Sequence, residues 1–195
     1  MTARNRWWIL VVGIGMMGGI IVWRYVRQPM ASYAVFTSTH LNVRFQYPEG
    51  WRVQEVREPG GTTMGEVQIF GPRREDIEYS LYVDVAAQHV SGNAATLDQA
   101  VEAALAQRRK QRSYKLLEKT PIRCAGEPAT RVLASYELLL PLTSANRRPV
   151  AFHELVAYCL HGGRLFRLTF AAPAEDFEHH QHAFNRLVKS FTFLP

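Results

Sequence analysis

The side chains best suited to chemistry in this 195-residue chain gather in one short run, Glu175, Glu178, His179, His180 and His182. At 100° per residue on a helix, Glu175, His179 and His182 fall within a narrow arc opposite Phe177 and Phe184, while His180 turns toward the apolar side. Imidazole and carboxylate together suit zinc or copper, so these three are the candidate metal ligands. Two histidines and one carboxylate on an open helix face, with nothing in view to orient them from behind, make a thin donor set, and a solvated polar face is the competing reading.

Elsewhere the motifs of catalysis break off early. His153-Glu154 stops short of H-E-x-x-H because Ala157 stands where the second histidine belongs. There is no G-x-S-x-G elbow and no cysteine in a nucleophile motif. Glu75, Asp76 and Glu78 form an acidic group without the oxygen-ligand spacing of a calcium loop. The glycine run GIGMMGG lies inside an apolar stretch, where it cannot cradle a phosphate. The sequence therefore offers no catalytic residue, and it calls for no cofactor.

That apolar stretch, residues 7–26, is free of ionisable side chains from Trp7 to Trp23 and carries aromatic residues at both ends. Twenty helical residues span about 30 Å, the thickness of a bilayer core, so a single transmembrane helix is expected here, behind a short tail at 1–6. The apolar core is longer than that of a secretory signal, and the small-residue pattern of a cleavage site is poor after it, which favours an uncleaved anchor. Gly15 and Gly19 have the spacing of a close helix–helix contact. With the tail inside, the rest of the chain lies outside the cytoplasm.

The formal charge of +6 and the pI near 9.6 suggest an anionic partner at first. Arg4, Arg6, Arg24 and Arg27 flank the apolar stretch, however, and residues 28–195 then hold 19 basic against 17 acidic side chains. No nucleic-acid partner follows from that balance. Cys124 and Cys159 both fall in strand-like segments, where an oxidising compartment would permit a bridge, but burial as free thiols is the favoured reading.

Residues 27–40 lack a clear period and read as a tether. Leu41, Val43, Phe45 and Tyr47 alternate with polar residues, Pro48-Glu49-Gly50 turns the chain, and Trp51 and Val53 resume the alternation, the pattern of an opening hairpin. Further strands are expected around Glu66–Phe70, Ser80–Ala87, Tyr114–Ile122, Thr130–Leu140, Val150–Leu160 and Arg164–Phe170, with hairpin turns at Ala125-Gly126 and Gly162-Gly163. Thr96 and Gln99 form a capping box ahead of the stripe Leu97, Val101, Ala104 and Leu105, and the helix they open ends in the basic cluster Arg108, Arg109, Lys110 and Arg112. A second helix follows Pro173, with Phe177, Phe184, Leu187, Val188 and Phe191 as its buried stripe. Meandering strands interrupted by two helices imply an α+β domain over residues 41–195, a mostly antiparallel sheet flanked by helices.

In order and spacing, Phe45-x-Tyr47-Pro48-x-Gly50-Trp51, Thr96-Leu97, Gly126-x-Pro128-Ala129, Gly163-x-Leu165-Phe166-x-Leu168-Thr169-Phe170, Phe177 and Ser190-Phe191 resemble the PsbP-like family, whose fold is an α/β/α sandwich. Each of these residues has a structural role as turn, cap or core, so none is carried over as catalytic or ligand-binding. The resemblance implies a non-enzymatic module that binds or helps assemble a membrane protein complex outside the cytoplasm, with a membrane-associated protein as partner. Loops 57–65 and 141–149 are the expected contacts. The alternative is an extracytoplasmic sensor that binds a metal or a small ligand.

Overall fold

The computed structural model describes residues 32–56, 63–90, 96–142 and 145–195. The expected membrane span at 7–26, the tail before it and the first residues of the tether lie outside this set. Among the described residues no helix is long and apolar enough to cross a membrane.

The chain runs through strands β1 (Tyr33–Ser38), β2 (Val43–Pro48), β3 (Arg52–Val56), β4 (Thr63–Arg74) and β5 (Tyr79–His89), then helix α1 (Leu97–Arg108). It continues through β6 (Lys115–Cys124), β7 (Glu127–Leu140), β8 (Arg148–His161), β9 (Arg164–Pro173), helix α2 (Ala174–Ser190) and the short β10 (Thr192–Phe193). Seven strands form one sheet in the order β3-β4-β5-β9-β8-β7-β6, and β1-β2-β10 form a second, smaller sheet. Every pairing is antiparallel, as the run of hairpins requires. Two of the turns place consecutive residues at positive φ, Ala125 and Gly126 (52° and 82°) and Gly162 and Gly163 (55° and 71°). This is the backbone that two-residue hairpins with the sheet's natural twist demand.

Two expectations from the sequence are corrected here. Residues 33–38 belong to no tether: they pair with β2 along their whole length, and the Phe36 ring packs on Phe45 at 5.6 Å. The alternating segments on either side of Pro48-Glu49-Gly50 are no hairpin either, because β2 stays in the small sheet while β3 pairs with β4 in the large one. The turn, closed by a bond from Trp51 N to the Pro48 carbonyl and by Gly50 at φ 86°, carries the chain from one sheet to the other. Period-2 alternation reports one buried face for each strand, and two strands of different sheets satisfy it as well as two of the same sheet.

The main core lies between the large sheet and a cover made of α2 and the small sheet. Leu41, Val43 and Phe45 from the small sheet and Phe177, Phe184 and Leu187 from α2 meet Val67, Ile69, Val83, Val85, Leu155, Phe166, Leu168 and Phe170. At its rim the Trp51 indole lies so close to Gly71 that any Cβ there would meet the ring at 2.8 Å, so only glycine fits. On the reverse face α1 packs Val101 and Leu105 against Val132, Val156, Tyr158 and Leu165. The capping box forms as expected, with Gln99 N donating to Thr96 Oγ1 and Thr96 N to Gln99 Oε1.

Candidate functional site

Strand alternation puts a second set of residues on the reverse face of the large sheet. Opposite the core-facing Val83, Val85, Leu168 and Leu155 stand Asp84, Ala86, Arg167, Thr169 and Glu154. Asp84 and Glu154 are 2% and 3% exposed. Such carboxylates need partners to remain charged, and each has an arginine. Arg167 donates from Nη2 to Asp84 at 2.9 Å, and Arg108, in the last turn of α1, pairs through Nη2 with Glu154 at 2.9 Å. Burial pushes both carboxyls above their ordinary range, and the arginine beside each opposes that shift. Burial also works against the charge on Arg167, but Asp84, with Tyr158 and Glu66, more than offsets it and the guanidinium is held more firmly protonated.

Tyr82 extends the polar row by donating to Glu66 at 2.6 Å, and Gln68 donates to the same carboxylate oxygen at 3.1 Å. Tyr158, which faces Arg167 across the β8–β9 ladder, has its phenol pushed up to about 12 by burial. Of these groups Tyr158, Arg108 and Arg167 border a cleft of about 400 Å³ between α1 and the sheet. Ala100, Ala103 and Ala104 of α1 form one wall; Ala86, Leu165 and Tyr158 form the floor; and Arg108, Arg167, Gln88 and His89 bring the polar atoms. The cleft exists because α1 covers β7 and β8 and turns a stripe of alanines toward the rest of the sheet. Its volume falls in the range of small-ligand pockets.

Sequence reasoning missed this site. Of the basic cluster that ends α1, Arg108 reaches buried Glu154, whereas Arg109, near Glu102 at 3.6 Å, and Arg112, near Glu137 at 3.5 Å, stay exposed. The available signal was a charged residue inside an apolar run, at the phase opposite the core-facing one: Asp84 in β5, Arg167 in β9 and Glu154 in β8.

The candidate metal ligands are not brought together. Glu175 pairs with Arg74 at 2.7 Å, where Arg74 also binds Asp176 and Asp76, tying the start of α2 to the β4–β5 turn. His179 and His182 are exposed on α2. His182 lies over His180, ring centroids 6.4 Å apart, and His180 leans on Trp51. Among the described residues no group of three or more His, Cys, Asp and Glu side chains is placed to hold a metal ion. One turn of helix separates Glu175 from His179, and a close cation draws the carboxylate the other way. Cys124 and Cys159 are buried free thiols in the main core.

The sequence profile of PsbP matches residues 31–193. The chain belongs to the PsbP family. No curated protein matches it. Among solved structures it is similar to the cyanobacterial PsbP of Synechocystis, CyanoP, at 13% identity and TM-score 0.54, covering 86% of this chain and 95% of that one. It is also similar to LpqN, involved in cell envelope biogenesis of Mycobacterium tuberculosis, at 13% identity and TM-score 0.53, covering 87% and 88%. The Ran-binding protein Mog1p of Saccharomyces cerevisiae shares the fold at 12% identity and TM-score 0.53, covering 84% and 96%. At these identities the likeness concerns the fold. The family match and the first of these neighbours agree with the resemblance carried by the turn and core residues of the sequence.

Proposed function

We propose that this PsbP-family domain is a non-enzymatic recognition module, held at a membrane by residues 7–26 and working outside the cytoplasm on a membrane-associated protein. The observation that carries the reading is the set of leucines left exposed along one end of the β6–β7 edge. Leu116 and Leu117 sit at the start of edge strand β6, Leu117 in a bulge and 50% exposed, while Leu139 lies near the end of β7, past its last partner in β6, and Leu142 follows just beyond that end, 67% exposed. Isolated surface leucines need no explanation, whereas several at one end of a sheet suit a protein contact. The bulge, Lys115, Lys119 and Pro121 guard this edge against adding a foreign strand, so side-chain packing is the mode of contact. Membership of the PsbP family and the involvement of the structural neighbour LpqN in cell envelope biogenesis support the reading.

Crosslinking in intact membranes, read by mass spectrometry, tests it with the full chain and with a Leu117→Asp, Leu142→Asp variant. The expected result is one dominant partner, crosslinked near residues 115–119 and 139–149, whose recovery falls at least fivefold in the variant while the variant keeps its Tm within a few degrees. Equal recovery from both chains removes this edge as the contact, and partner loss only when residues 7–26 are exchanged for an unrelated span assigns the contact to that segment.

A further inference from the structure

We propose that the cleft between α1 and the large sheet binds a small amphiphile with one carboxylate or phosphate head, held by Arg108 and Arg167, and a short apolar body lying on the alanines of α1. The site stands apart from the leucine edge and does not depend on it.

The cleft presents cations and hides the carboxylates that pair with them. The two carboxylates of the polar row, Asp84 and Glu154, are sealed beneath the surface and do not border the cleft, whereas both arginines do. An incoming ligand therefore meets the cationic end of two ion pairs that are neutral as wholes. Glu66, the other carboxylate of the row, is occupied by Tyr82 and Gln68. Each guanidinium has five N–H donors in a planar fork, and each spends Nη2 on its own carboxylate. Nε of Arg167 is buried without an acceptor, so Asp84 does not exhaust the fork.

Anchoring from behind supplies the second element. A surface arginine loses rotamer freedom when it grips an anion, but these two are already fixed by buried partners, and that pre-organisation lowers the cost of binding. Planar N–H pairs match the spacing of carboxylate and phosphate oxygens.

The third element is the body of the ligand. Ala86, Ala100, Ala103, Ala104 and Leu165 line a volume of about 400 Å³ with hydrocarbon. Larger side chains at 100, 103 or 104 would close the space with no change to the arginines. A bare anion would leave this surface unused, and a neutral apolar ligand would leave the forks unpaired.

Isothermal titration calorimetry of the full chain with hexanoate, hexyl phosphate, inorganic phosphate, hexanol and hexylamine tests the proposal. Hexanoate or hexyl phosphate is expected to bind at one site per chain, at least tenfold more tightly than phosphate, hexanol or hexylamine. Arg167→Met is expected to weaken it at least tenfold, and Ala103→Trp, which fills the cleft without touching either ion pair, to abolish it. Both variants are first checked for a native Tm, with Arg108→Lys as a second variant should Arg167→Met fail to fold. Vesicles of anionic diacyl lipid, added as competitor, distinguish a membrane-lipid head group from a soluble ligand, and either source upholds the site. Equal binding of inorganic phosphate and hexyl phosphate overturns the amphiphile. Absence of saturable heat for every probe, or binding that survives Ala103→Trp, overturns the cleft.

Discussion

On one face of the seven-stranded sheet, Val67, Val85, Leu168 and Phe166 are sealed under α2 and the small sheet. On the other, the neighbouring residues of the same strands are Glu66, Asp84, Arg167 and Glu154, with α1 covering only the β7–β8 side. The centre of the sealed face is apolar and fully buried, so it holds the domain together. The reverse face keeps charges in place by pairing each buried carboxylate with an arginine that reaches the surface. Apolar packing needs only shape, but a buried charge needs a particular partner at hydrogen-bond distance, and that requirement turns a face into a defined arrangement of donors.

The largest effect expected from this contrast is on the sealed side. Phe166 is fully buried and its ring packs edge-on against Phe191 at 6.2 Å and near Phe193 at 5.0 Å. Phe166→Ala should cost about 3–5 kcal/mol, read as a drop in the denaturation midpoint at unchanged m-value, and a loss under about 1 kcal/mol would contradict the view of this face as the structural core.

The reverse face should respond differently to single and paired changes. Glu154→Leu alone strands Arg108 beside apolar neighbours and should cost about 2–3 kcal/mol, whereas Glu154→Leu with Arg108→Met should recover most of that loss, since a buried pair adds little net stability. A double variant as unstable as the sum of its parts would show that the pair is worth more to the fold than packing could replace.

The smallest effect is at the rim of the sealed face, where His180 leans on Trp51. Burial, then the nearby His182, holds its imidazole below the ordinary histidine value, while Asp176 pulls the other way and His179 adds to the lowering. A lowered histidine takes up its proton less readily in the fold than in the unfolded chain. Its contribution is therefore complete above the unfolded value, about 6.5, and is lost as pH falls through the lower folded value. Acidification from pH 7.5 to 5 should lower Tm by about 1–2 °C more in the parent chain than in His180→Gln. Identical pH profiles in thermal melts would show that the rim does not sense this proton.

The sequence alone determined what depends on neighbours along the chain. The period of most strands, though not of β1, the Ala125-Gly126 and Gly162-Gly163 turns, the Thr96 capping box and the stripe of α2 are short-range features, written in the spacing of a few residues and legible as such. An α+β domain of antiparallel strands follows from them. Which sheet each strand joins was decided only by the tertiary structure, because β2 and β3 have the same alternation and the β2–β10 pairing brings together residues almost 150 positions apart. The same is true of the charged cleft. Asp84, Glu154 and Arg167 sit on three separate strands and Arg108 on a helix, and their pairing depends on the strand order β5-β9-β8, which no local pattern encodes. The histidine run, by contrast, is conspicuous in the sequence because it is contiguous, yet contiguity on one helix gives its side chains a common direction without a common point, and a binding site needs the point.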